Sequence, residues 1–202
     1  MQVDIPSQKL VWGFGINDVS NVTHYIPNTK KRTNCPYYQR WHGMLSRCYS
    51  DQYKKRYPTY LDVTCSESWR FFSDFKSWME KQKWYGYELD KDILVEGNKI
   101  YSPDTCIFVP QHINKLFNLK LSSTDNTFKG VSINPKGNNK FRARIRYKGK
   151  TLGLGSFATL EEAQEAWLSF CRNKIREAGD EYYWIHPNFR DRMYEKASLI
   201  KL

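Results

Sequence analysis

The sequence predicts an α+β protein made of two successive folded regions, and three observations carry that expectation. Residues 87–118 read as strand, long polar loop, strand, helix, preceded by helices rich in aromatic residues. Residues 128–157 hold three short β-favouring runs separated by turn signals, and an amphipathic helix follows. A last apolar repeat after Pro187 predicts a C-terminal helix. The expected layout is an extension over 1–34, a domain over 35–120, a second over 127–179, and a helical tail over 180–202. The boundary is placed in the polar, turn-rich stretch 119–127, LKLSSTDNT.

Leu10–Ile16 carries large apolar groups on a short strand or turn, and Lys30-Lys31-Arg32 ends the extension as a phosphate contact or a solvated loop. Tyr37, Trp41, Met44 and Cys48 are spaced 4, 3 and 4 apart, the spacing of one helix face, with Pro36 at its start. A second helix is expected from about Ser66 to Lys83. Phe71, Phe72, Phe75, Trp78 and Met79 form its apolar face, and Gly86 marks its exit. Between the two, Lys54-Lys55-Arg56-Tyr57-Pro58 reads as a basic loop with tyrosines around it, either a DNA contact or a solvated loop. Beyond Gly86 a short strand ends at Leu89, and Asp90, Lys91, Asp92 and the turn pair Gly97-Asn98 fill the polar loop. Cys106–Val109 is an apolar strand. Pro110 then suits the first position of a helix carrying Ile113, Leu116 and Phe117.

In the second region the strands are expected at Phe128–Ile133, Lys140–Tyr147 and Thr151–Phe157, as an antiparallel meander packed on one helix. Thr159 and Glu162 form a capping box, Ala163, Ala166, Trp167, Phe170 and Cys171 face the core, and Gly179 is the expected stop. From Phe128 to Lys150 there are eight basic residues and no acidic one. Arg142, Arg144 and Arg146 alternate with Ala143 and Ile145, so a period of two puts the three arginines on the face away from the core. The arginine fork grips phosphates or guanine edges bidentately. A solvated basic face is the alternative. In the tail, Phe189, Met193, Ala197 and Ile200 share one side, to dock on either domain or to pair with a second copy.

The 202 residues are 40% hydrophobic and 16% aromatic, enough for a packed core, which excludes global disorder. A net charge of +11 favours phosphate-rich partners. No apolar run reaches the roughly 18 residues of a membrane span, and the N-terminus lacks the pattern of a signal peptide, so no membrane partner and a cytoplasmic location are expected. Five cysteines are an odd number, against a complete disulfide framework. Cys35, Cys48, Cys65 and Cys106 lack the close pair spacing of zinc sites and read better as buried free thiols.

Leu89-Asp90-Lys91-Asp92, Gly97-Asn98, Tyr101-Ser102-Pro103-Asp104-Thr105-Cys106, Val109-Pro110 and Ile113-Asn114 together resemble phage-encoded HNH homing-type endonucleases. The resemblance implies an HNH-like ββα-metal core, with Asp90 and Asn114 (or His112) holding magnesium or manganese. It implies nicking or cleavage of double-stranded DNA in an infected bacterial cell. Lys91 stands where the family's general-base His is expected, and Thr105 where a loop Asn is expected. Asp92 or His112 would then serve as base, and Lys91 would contact phosphate. Asp90 and Asp92 as plain turn residues are the alternative. Lys129-Gly130-Val131, Ala143–Arg146, Leu154–Phe157, Glu161-Glu162-Ala163 and Ala166-Trp167 resemble APETALA2-type DNA-binding domains. That resemblance implies a sheet laid in the major groove through Lys129, Ser132, Lys136, Lys140, Arg142, Arg144, Arg146 and Lys150. Ser132 stands where a base-reading Arg is expected, and Gly153 where a Trp is. The rival readings are a degenerate HNH scaffold that binds DNA or a host protein, and an RNA-binding protein.

Overall fold

In a computed structural model of the chain, residues 9–20, 22–25, 32–118, 130–133 and 140–200 are described. They contain six α-helices and nine short strands, an α+β arrangement. The chain divides into two compact units, Met1–Phe108 and Val109–Leu202. The polar stretch expected to hold the boundary lies outside the described residues.

The first unit opens with a tight turn closed by a bridge between Val11 and Gly15. Strands β1 (Thr23–Tyr25) and β2 (Arg32–Asn34) then pair antiparallel. Helix α1 (Pro36–Tyr49) takes Pro36 in its first turn, where the missing N–H costs nothing. Its Trp41, Met44, Leu45 and Cys48 are buried. The stretch expected as a basic loop begins instead as a short helix, α2 (Asp51–Arg56), because Ser50 caps it by accepting from Tyr53 N. The helix expected over 66–83 is shorter. A 3₁₀ turn at Glu67–Trp69 precedes α3 (Phe72–Glu80), and Phe71 sits in extended backbone at its N-cap, more than a third exposed rather than in the core. Strand β3 (Thr64–Cys65) lies parallel to β5 (Ile100–Tyr101), while β4 (Tyr87–Asp90) pairs with β6 (Ile107–Pro110).

Trp41, Trp69, Phe72 and Phe75 are fully buried in one aromatic core. Each such side chain contributes about 1.5–3 kcal/mol by leaving water. The Trp41 indole N–H, otherwise stranded there, donates to the Trp69 carbonyl at 2.8 Å.

In the second unit α4 (Gln111–Phe117) follows β6, with Pro110 as its N-cap. Strands β7 (Val131–Ile133), β8 (Phe141–Tyr147) and β9 (Lys150–Phe157) form an antiparallel sheet in the order β7-β8-β9. Helix α5 (Leu160–Glu181) starts at the expected capping box: Thr159 accepts from Glu162 N, and the Glu162 carboxylate accepts from Thr159 N. It does not stop at Gly179 but runs through it. A Cβ there would come within 3.1 Å of Met193 on α6 (Phe189–Leu199), so the glycine lets the two helices approach rather than ending one. The tail is thereby docked on α5, with Phe189, Met193, Ala197 and Ile200 buried. No helix among the described residues is long and apolar enough to cross a membrane.

Candidate nucleic-acid interface

Alternation along β8 divides its side chains by face. Ala143 is fully buried and Ile145 nearly so, under α5, while Arg144 and Arg146 are exposed and Arg142 is half-buried. The register sets Arg142 between Ser132 on β7 and Ser156 on β9, and Arg144 and Arg146 opposite Gly153 and Thr151. The arginines therefore rise from a floor of small side chains. A break in register opposite Ala143 and Arg144 leaves Leu154 as an extra residue on β9. Gly155 absorbs it at a φ of +139°, a conformation that disfavours any side chain. The bulge lets Leu152 and Leu154 both remain half-buried while Gly153 and Ser156 stay on the arginine side. Among the described residues neither Arg144 nor Arg146 makes an ion pair. Ser132, Lys140 and Lys150 are exposed, whereas Lys129 and Lys136 lie outside the described residues.

A cleft of about 630 Å³ opens in the same unit, lined by Asn114, Lys115 and Asn118 of the α4 region together with Gly130, Arg144, Arg146 and Trp167. Asn118 Nδ2 donates to Asn114 Oδ1 at 2.7 Å, which fixes both amides at the cleft. Asn114, expected as a metal ligand, thus lines the same cleft as Arg144 and Arg146. His112 packs edge-on to Tyr147 at 5.5 Å and to Tyr182, and its Nε2 is buried without a hydrogen-bond partner. Burial lowers its pKa, the nearby Lys148 lowers it further, and Glu181 acts in the opposite sense.

The loop after β4 is closed upon itself. Asp90 is 5% exposed, and its Oδ1 accepts the amide N–H groups of Asp92 and Ile93, both at 2.8 Å. Lys91, 7% exposed, donates from Nζ to Asp92 Oδ1 and to the Asn98 carbonyl, each at 2.6 Å. Asn98 Nδ2 in turn donates to the carbonyls of Lys91 and Ile100 and to Thr105 Oγ1. Lys91 is therefore an internal strut rather than a phosphate-facing cation, and the Asp92 carboxylate is held by it. Asp90 belongs to the first unit, His112 and Asn114 to the second. All five cysteines are free, and Cys48, Cys65, Cys106 and Cys171 are buried. Burial pushes the Cys48 and Cys106 thiols up to about 12, so they pack as small apolar groups. Among the described residues no three His, Cys, Asp or Glu side chains gather as a metal cluster.

No protein-family model matches the chain, and neither a curated protein nor a solved structure does. Two residues at these sites escape a reading of the sequence. Lys115 lies between the apolar Ile113 and Leu116, off the buried side of α4, and that spacing signals its exposure. Asn98 reads as an ordinary turn residue, and nothing local marks it as the hub of the loop.

Proposed function

We propose that this is a double-stranded DNA-binding protein that reads DNA with the arginine face of the β7-β8-β9 sheet. The observation that carries the proposal is the ladder of Arg142, Arg144 and Arg146 on a floor of Ser132, Thr151, Gly153 and Ser156. Guanidinium groups such as those of Arg144 and Arg146, which form no ion pair among the described residues, suit phosphates and base edges. Small neighbours let a duplex come close. The APETALA2-type resemblance points to the same sheet, and Asn114 and Lys115 at the adjoining cleft extend the polar surface. Replacing Arg142, Arg144 and Arg146 together with Gln should weaken binding to a 30-bp duplex. The slope of log affinity against log salt should flatten by about 0.9 for each phosphate no longer gripped. An unchanged affinity and slope, or tighter binding to duplex RNA at equal salt, would sink the proposal.

A metal-dependent endonuclease is the second reading. It is favoured by the chain order β4, β6, α4, with Asp90 ending β4 and held rigidly by two amides. Magnesium takes six oxygens, most of them from water or substrate phosphate, so one fixed carboxylate supplies a fitting share. Asp90 would hold the ion, which when bound would polarise a phosphodiester oxygen. Asp92 contributes nothing to it while Lys91 neutralises its carboxylate. With Lys91 in place of a base, the expected outcome is slow nicking of supercoiled plasmid that needs magnesium or manganese and rises from pH 7 to 9. Asp90→Ala should abolish it and leave DNA affinity intact. Tight binding without metal-dependent nicks would make this region a binding scaffold.

A further inference from the structure

A second cationic surface lies in the first unit, where neither DNA-reading strands nor the loop after β4 account for it. Arg47 occupies the last turn of α1, half-buried. Its Nη1 donates to the Tyr101 hydroxyl at 3.3 Å, and among the described residues it makes no ion pair. Tyr101 is 2% exposed, and the phenols of Tyr60 and Tyr53 also lie within electrostatic reach of the guanidinium. Tyr53 packs edge-on to Tyr60 at 5.3 Å and against Tyr57 at 4.7 Å. A guanidinium has five donors in a rigid fork. Here the one side-chain partner it reaches is a neutral phenol, so among the described residues its positive charge is not neutralised by an ion pair.

The surroundings supply further positive charge. Lys54, Lys55 and Arg56 form the last turn of α2, where they also suit the negative end of the helix. Lys55, Arg56 and Tyr57 are exposed, and the Arg56 guanidinium lies over the Tyr57 ring at 5.6 Å. Lys99 reaches the Thr59 carbonyl of the 3₁₀ turn that follows. Carboxylates on or near these elements include Asp51, in the first turn of α2, and Asp92, which acts electrostatically on Tyr60 and is paired with Lys91. Helices α1 and α2 pack together, and Arg47 and Lys54 both act electrostatically on Cys48, so the fork donor and the ammonium groups belong to one side of the unit. Phosphodiester oxygens are bound by such sets.

We infer that Arg47, Lys54, Lys55 and Arg56 form a second phosphate-binding footprint for duplex DNA, on the first unit, additional to the sheet of the second. The inference rests on the double-stranded DNA reading. Its test uses the full chain, a fluorescent 30-bp duplex and a titration of salt, with Lys55→Gln/Arg56→Gln, Arg47→Gln and the triple sheet variant measured side by side. The double variant alters only exposed groups and should keep the fold, which far-UV circular dichroism checks. It should lower the log–log slope by roughly 1 to 2, and Arg47→Gln by about 0.9, and both reductions should persist in the triple-variant background. Wild-type slopes in Lys55→Gln/Arg56→Gln would overturn the footprint even where the sheet variant loses affinity. A slope reduced only in the double variant would keep the footprint and overturn the sheet. A reduction seen on duplex RNA and not on DNA would also overturn it.

Discussion

The outer face of the β7-β8-β9 sheet and the loop after β4 both hold closely spaced charged residues, and they use them in opposite ways. Around Lys91 each charge has an internal partner. The ammonium meets Asp92 and the Asn98 carbonyl, while Asp90 is taken up by two amides. On the sheet, Arg144 and Arg146 project from a floor of glycine and threonine with no ion pair among the described residues. Charge that is satisfied inside the fold contributes to stability. Charge left at a surface costs little there and is available to a ligand. The difference teaches that clustering in sequence does not tell structural charge from available charge, whereas the presence or absence of an internal partner does.

The largest effect that could break this comparison comes from Lys91→Ala. It strands the Asp92 carboxylate and empties a buried position, so the first unit should lose about 3 kcal/mol, the lower end for a broken buried pair, because Asp92 keeps some solvent. Arg144→Ala should stay within about 0.5 kcal/mol of wild type while reducing DNA affinity. Urea unfolding followed by tryptophan fluorescence suits the first measurement, since five of the seven tryptophans lie in the first unit. Equal stability of the two variants would show that the loop charges are not structural.

Asn98→Asp is a subtler probe. It keeps the oxygen that accepts from Ile100 N and removes the N–H donors to Lys91 O, Ile100 O and Thr105. A loss of about 2 kcal/mol is expected, with DNA binding by the sheet unchanged. A loss of binding at the same protein concentration, with stability intact, would mean that the loop itself touches DNA.

The smallest effect concerns His112. Burial depresses its pKa in the folded chain, so the unfolded chain takes the proton first. Its contribution to stability is complete above the ordinary histidine value of about 6.5 and is lost as pH falls through the folded value. His112→Gln should therefore narrow the stability gap between pH 7.5 and 5.5, modestly, since the ring is partly exposed and screened. An unaltered gap would place the imidazole in solvent rather than among Tyr147 and Tyr182.

Much of this could be read from the chain because it depends on neighbours a few residues apart. A period of two assigned Arg142, Arg144 and Arg146 to one face, and a three-residue spacing announced the Thr159–Glu162 cap. Helical spacing named the buried faces of α1 and α6. The same local view failed where a residue's role depends on what packs against it. Gly179 looks like a helix stop, yet it is the contact through which α5 and α6 close. The Lys54–Arg56 run looks like a loop until Ser50 caps it. Tertiary structure alone decided that Lys91 turns inward and that Arg47, 54 residues from Tyr101, finds a phenol instead of a carboxylate. Periodicity is written in the backbone's own geometry, but the partner of a charge is chosen by which distant segments the apolar core brings together.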